Sequence, residues 1–238
     1  MKDETMCESN KGNRGVVCFT FDDFHGENWL KADSLLRKYG AHVTFFIMED
    51  ISPEKAGVMK RLKASGHTIG LHSVHHGNAV KLIQENGEER YLEEEIKPQL
   101  DVCREYGLEI HSFSYPCNYR NEVSDRLLFR YFDYLRTGRG LDNIPTPYYP
   151  LKGLPEKCCF TGIGVGTFYG TELSVLKKEM IHAAETGSIL VLYAHDIGPL
   201  GEIAKNDMPV EWLEELLAFA KESGIRIAGF DELKMLKS

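Results

Sequence analysis

Asp22 and Asp23 stand side by side where the apolar run Val16–Phe21 ends. Two adjacent carboxylates at a strand end can divide labour, one gripping a cation while the other exchanges protons. Downstream, the segment HSVHHGN places His72 and His76 four residues apart, a spacing that on a helical turn turns two imidazoles to one side. Two neutral imidazoles and one carboxylate make a three-ligand set for a divalent metal ion, with positions left for water and substrate. Either opening aspartate can complete that set, and the other is then free beside a water whose pKa the cation has lowered. His195 follows another apolar run, Ser188–Tyr193, and can protonate an amine expelled by hydrolysis. His75, three residues from His72, is a rival ligand ranked below His76. His25, His42, His67, His111 and His182 read as structural, because none pairs with a second candidate at ligand spacing.

These residues share a neighbourhood only if the elements that carry them end on one side. Short apolar runs alternate with segments of helical periodicity. The pattern predicts strands at Val16–Phe21, His42–Ile47, Thr68–Leu71, Ile110–Tyr115, Tyr134–Arg136, Phe160–Val165, Ser188–Tyr193 and Ile225–Ala228. It predicts helices at Asn28–Tyr39, Pro53–Ser65, near Glu88–Tyr106 and Glu122–Phe129, then at Thr171–Glu185, Val210–Glu222 and Asp231–Leu236. Gly40, Gly66, Gly107, Gly187 and Gly224 stand where helices should stop. Leu141–Lys157, with four prolines, reads as a loop after which the alternation resumes. Repeated β-then-α order implies parallel strands with right-handed crossovers. The expected fold is α/β, a distorted or incomplete (β/α) barrel of about seven parallel strands. In such folds functional groups gather at the carboxyl ends of the strands, where the aspartates and histidines fall. No GxGxxG fingerprint follows the first strand, which weakens a dinucleotide-binding open sheet. Residues 1–15 read as a polar extension and 16–238 as one domain.

The 238 residues are 42% hydrophobic and 27% charged, enough to build a full core. The net charge of −8, without a basic stripe, argues against a nucleic-acid partner. No apolar run approaches the ~20 residues of a membrane span. Met1 to Arg14 lacks a secretory signal, so the expected location is cytoplasmic as written, or the cell envelope or exterior if a signal has been removed. Cys7, Cys18, Cys103, Cys117, Cys158 and Cys159 form no CxxC pair and read as reduced thiols, mostly buried.

TFDD (Thr20–Asp23), HSVHH (His72–His76), FSYP (Phe113–Pro116) and LVLYAHD (Leu190–Asp196) resemble, in order and spacing, the motifs of the polysaccharide deacetylases of carbohydrate esterase family 4. The resemblance spans about Val16 to Leu233. It implies a distorted (β/α) barrel, one divalent metal ion, usually zinc with cobalt or nickel accepted, and hydrolytic removal of N- or O-acetyl groups from an oligo- or polysaccharide. By position, Asp22 resembles the family's catalytic base, Asp23, His72 and His76 its metal ligands, and His195 its acid. The third motif departs: where the family commonly has an arginine touching the base, this chain has Ser114, and Cys117 replaces a tyrosine. Arg136 or Arg120 is expected to supply the missing cation. The Cys117 amide is expected to serve as oxyanion donor, since a backbone N–H does not depend on side chain. Tyr193, Tyr115, Leu192 and Trp29, with Pro116 in the same motif, are expected to line the substrate wall. The departure keeps two alternatives open: an amidohydrolase for a small non-sugar amide on the same fold, and a carbohydrate-binding pseudoenzyme.

Overall fold

The computed structural model of the chain describes residues 15–140, 144 and 146–237. Most of the expected polar extension, Cys7, and Leu141–Asn143 and Pro145 of the expected loop lie outside the described residues. Gly15 packs against the barrel, its N–H donating to the Ala184 carbonyl (3.2 Å).

In chain order the elements are β1 (Val16–Phe21), α1 (Gly26–Tyr39), β2 (Thr44–Ile47), α2 (Pro53–Ala64), β3 (Thr68–Leu71), α3 (Ala79–Asn86) and α4 (Glu88–Tyr91). A π-helical turn, Leu92–Ile96, joins α4 to α5 (Lys97–Glu105). Then come β4 (Ser112–Ser114), α6 (Glu122–Leu128), β5 (Tyr134–Arg139), β6 (Tyr148–Pro150), β7 (Cys158–Gly164), α7 (Leu173–Thr186) and β8 (Ser188–Ala194). The short pair β9 (Ile197–Gly198) and β10 (Met208–Pro209) precedes α8 (Val210–Glu222), β11 (Arg226–Ile227) and α9 (Leu233–Leu236). Local signals account for several boundaries. Ser52 caps α2 by accepting from the Lys55 N–H (3.2 Å), with Pro53 at the first helical position. The five glycines expected at helix stops all have positive φ, from 64° to 92°.

Seven parallel strands close in the order β1-β2-β3-β4-β5-β7-β8, and β8 returns to β1 over six residue pairs, Val16↔Ile189 to Phe21↔Ala194. The distortion has a definite place. β1 meets β2 only at Thr20↔Thr44 and Phe21↔Phe45, and β11 fills the seam below at Val16 and Val17. β7 meets β8 only at Ile163↔Leu192 and Gly164↔Tyr193, and β6 lies antiparallel to β8 below, from Ser188 to Leu190. Both seams therefore zip at the carboxyl ends of the strands and splay at the amino ends. The expected proline-rich loop thus contains a strand, and Pro150 is tolerated because β6 is an edge.

Strand alternation divides the core. Val17, Phe19, Phe21, Phe45, Ile47, Leu71, Phe113, Leu190 and Leu192 belong to the cluster under the helices. Val16, Cys18, Phe46, Tyr134, Phe160, Ile189 and Val191 fill the barrel with Phe230, which packs on Phe46 (5.9 Å), Tyr134 (6.1 Å) and Phe160 (5.1 Å). Continued along each strand, the inward set reaches Asp22, His72, Ser114, Arg136, Tyr193 and His195, which places the candidate chemistry at the carboxyl end of the barrel.

Two expectations about helices need correction. The long helix near Glu88–Tyr106 is interrupted by the π turn, in which the Lys97 N–H bonds the Leu92 carbonyl five residues back. Pro98 follows immediately; it has no N–H to give and its ring crowds the preceding turn, so the helix widens there. His72 and His76 do not share a helical turn. The segment is a loop bent by left-handed residues at Ser73 (φ 67°) and His76 (φ 53°).

Candidate active site

The loops that follow β1 to β4 hold all six non-glycine residues with positive φ among the described residues: Asp23, Glu49, Ser73, His76, Cys117 and Asn118. Each such conformation costs about 1–3 kcal/mol and persists where surrounding structure enforces it. Their concentration on one rim marks the part of the fold shaped for something other than stability.

At this rim Asp23, His72 and His76 converge, each offering a ligand atom within 4.8 Å of the others. Asp23 Oδ1 lies 3.5 Å from His72 Nε2 and 3.6 Å from His76 Nε2, and the two imidazole rings are 4.9 Å apart. His72 Nδ1 donates to the Ser114 carbonyl (2.8 Å), which leaves Nε2 with a lone pair facing the aspartate. Asp23 Oδ1 is buried and has no hydrogen-bond partner. Acceptors converging on one another without a proton between them fit a divalent cation, and an imidazole anchored through its far nitrogen is the usual arrangement of a metal ligand. Burial, against the pull of Asp22 and Asp23, holds the His72 pKa below the ordinary value, so the metal-competent neutral form prevails. His75 is turned outward and stands outside this set.

Asp22 is 3% exposed and receives a hydrogen bond from Arg136 Nη2. Burial works to raise its pKa, but Arg136 foremost, with His72 and His195, outweighs burial and holds the carboxyl below the usual range. Arg136 is wholly buried, lies 4.6 Å from the Tyr193 ring centroid and 5.6 Å from that of Phe46, and also donates to Ser114 Oγ and to Asn118 Oδ1 (3.2 Å). Ser114 and Arg136 are register partners of β4 and β5, so the guanidinium rises at the level of the third motif one strand further round. The Tyr193 ring finds room because the inward position on β5 is Gly138, where a Cβ would lie 2.3 Å from it. Arg120, the other candidate, is turned away to Asp125.

His195 Nδ1 is held by Asn206, whose carbonyl and side-chain amide lie 3.1 and 3.0 Å away, and its own carbonyl accepts from Trp29 Nε1 (3.0 Å). Its Nε2 is the nitrogen left to exchange a proton. Cys117 sits in the Pro116–Asn118 turn at φ 53°, exposed, and its amide takes no part in the bonds from Asn118 to Tyr115 and from Tyr119 to Pro116 that shape the turn.

The expected substrate wall divides. Tyr193 adjoins the site, with its hydroxyl 3.5 Å from Asn118 Nδ2 and its ring 6.3 Å from that of His195. Leu192 points into the outer core, and Tyr115 sends its hydroxyl away to Asp125 (2.8 Å), because both have the opposite strand parity. Trp29 is fully buried on Phe45, and Pro116 is buried in the turn. Strand parity counted from Asp22 and His72 was the signal that could have sorted these residues. Asn118 and Asn206 went unforeseen; asparagine's tolerance of left-handed backbone was the available hint for the first. A cleft of about 680 Å³, lined by Asn28, Leu35, Asp196 and Ile197 among others, contains none of the converging groups.

Residues 9–127, half of the chain, match the family model for polysaccharide deacetylase. The chain belongs to the polysaccharide deacetylase family. A stretch of 79 residues is 37% identical to a peptidoglycan-N-acetylglucosamine deacetylase of Bacillus cereus, covering 33% of this chain and 28% of that protein. Among solved structures, the peptidoglycan deacetylase PdaC of Bacillus subtilis superposes with a TM-score of 0.61 at 15% identity, over 94% of this chain and 92% of its own. The Xyl-CE4 domain of a multidomain xylanase from the hindgut metagenome of Trinervitermes trinervoides gives 0.60 at 17% identity, over 94% and 91%. At these identities the structural likeness is one of fold, the distorted barrel of the polysaccharide deacetylases. No helix among the described residues is long and apolar enough to cross a membrane.

Proposed function

We propose that the chain is a metal-dependent hydrolase that removes N- or O-acetyl groups from a carbohydrate. The observation that carries this reading is the unpartnered Asp23 Oδ1 facing His72 and His76, next to an Asp22 held ionised by buried Arg136. In this reading Asp23, His72 and His76 hold one divalent cation, zinc by ligand type with cobalt or nickel as substitutes. Such an ion would polarise the acetyl carbonyl and acidify the attacking water. Asp22 takes the proton from that water, and Arg136 keeps its carboxylate charged and aimed, the role the family's third-motif arginine fills from the neighbouring strand. The Cys117 amide offers a donor to the developing oxyanion, worth about 3 kcal/mol where such donors have been removed. His195, oriented by Asn206, gives a proton from Nε2 to the departing amine or alcohol.

The activity of the Bacillus cereus relative makes peptidoglycan or another N-acetylglucosamine polymer the first substrate to try. If that is the substrate, the protein meets it in the cell envelope. The placement of Arg136 speaks against a pseudoenzyme, since the cation missing from the third motif is restored from β5. The deciding experiment is elemental analysis of never-chelated protein alongside acetate release from acetylated glycans, with ureides and imides in the same panel. Zinc, cobalt or nickel near one equivalent with acetate from a glycan is the expected result. Protein that takes up none of the three metals sinks the reading, and turnover of the cyclic amides alone replaces it with the amidohydrolase alternative.

A further inference from the structure

The loop that carries His72 and His76 has no helix or strand of its own, and its conformation must be imposed from outside. The π turn supplies the means. Glu95, on that turn and only 5% exposed, reaches His75, one of the three residues between the two histidines: its Oε2 accepts the His75 N–H (2.9 Å) and its Oε1 accepts His75 Nδ1–H (3.0 Å). The Glu95 carbonyl accepts the Val74 N–H (3.2 Å). Three contacts from one residue thus fall inside the five-residue segment, between the left-handed Ser73 and His76.

One turn further on, buried Gln99 continues the attachment. Its Nε2 donates to the carbonyls of Ile47 (3.1 Å) and Glu49 (2.8 Å), while the Ile47 carbonyl also takes the His72 N–H (2.8 Å) and the Glu49 N–H bonds the Ser73 carbonyl (3.0 Å). Glu95 and Gln99, four residues apart, lie on one side of the helix, and both reach the rim. A buried carboxylate is costly unless fully engaged, and here it is spent on a loop whose exposed His75 contributes nothing to the core.

We propose that Glu95 is a positioning residue for the metal site: by clamping His75 it fixes the backbone that aims His72 and His76 at one ion. The proposal rests on the reading that Asp23, His72 and His76 hold a cation. Zinc affinity of the full chain, measured by chelator competition, and the visible spectrum of the cobalt form test it. Glu95→Ala is expected to weaken zinc binding by about 10–100-fold, the usual effect of losing a partner behind the ligands, and to change the cobalt spectrum. Glu95→Gln, which keeps the volume and an acceptor for the His75 N–H, is expected to recover most of that loss. Should Glu95→Ala fail to fold, His75→Ala removes only the imidazole contact and is expected to weaken zinc several-fold. Melting of the metal-free variants reports the structural share separately. The proposal is overturned if Glu95→Ala and His75→Ala bind zinc as tightly as wild type with an unchanged cobalt spectrum, or if Glu95→Gln binds no better than Glu95→Ala. A wild-type chain that binds no metal refutes the site itself instead.

Discussion

Two histidine–aspartate pairs stand at opposite ends of β3. At its amino end, His67 Nε2 donates to Asp33 Oδ1 (3.1 Å), Nδ1 accepts the Val43 N–H (3.2 Å), and Asp33 Oδ2 receives Ser65 Oγ (3.2 Å) and Arg37 Nε (3.1 Å). At its carboxyl end, His72 Nε2 faces Asp23 Oδ1 at 3.5 Å with no proton to share, and that oxygen has no other partner. The first pair is closed: each of these polar atoms is satisfied, and the network ties β2 and β3 to α1. The second is open, and its backbone is held in a left-handed conformation at Asp23. A buried polar group without a partner is expensive, so the open pair is the one that implies a guest. Burial lowers the pKa of both histidines. What separates the two pairs is therefore the completeness of hydrogen bonding around each, full at His67 and Asp33 and incomplete at His72 and Asp23.

The contrast is sharpest in paired variants. His72→Ala is expected to abolish metal binding and turnover, while the zinc affinity of His67→Ala stays near wild type; titration of both with zinc checks it, and equal losses would dissolve the distinction. Next in size, Asp22→Asn should retain zinc and lose about 10²–10⁴ in kcat, the range for removing a general base, as read by acetate release at saturating metal. His67→Ala should cost about 2 kcal/mol of unfolding free energy, because Val43 N–H and Asp33 lose their partner inside the fold; urea denaturation of the metal-free chain measures it. The smallest effect is pH dependence. His67 has a depressed pKa in the fold, so the unfolded chain takes up the proton first and unfolding binds it. Stability from this site is complete above about pH 6.5 and declines as pH falls towards the lower folded value. His67→Gln should flatten that part of the stability–pH curve relative to wild type, and an unchanged slope contradicts the closed pair.

Much of the architecture was legible because it rests on local patterns. Val16–Phe21, Thr68–Leu71 and Val210–Glu222 match their observed bounds and most other elements shift by a few residues, but α3 (Ala79–Asn86) and the β9/β10 pair were not expected. The π turn escaped because Leu92–Ile96 continues the helical periodicity, and only Pro98 hinted at a break. β6 escaped because three residues on an edge carry no alternation to read. At the site, Asp22, Asp23, His72, His76 and His195 could be nominated by type and by position at strand ends. Asn118, Asn206 and Glu95 could not, since an asparagine in a turn or a glutamate on a helix is ordinary until its partner is known.

Apolar periodicity and strand ends are properties of neighbours along the chain, so the repeating strand–helix order and the rim that carries the acids and histidines could be read from the residues alone. Which histidine–aspartate pair is open, which arginine reaches Asp22, and that Tyr193 rather than Leu192 adjoins the site emerge only once the barrel is closed. Those outcomes depend on register across the closed barrel and on hydrogen bonds between residues as far apart as Asp22 and Arg136, distances over which one-dimensional pattern carries no information.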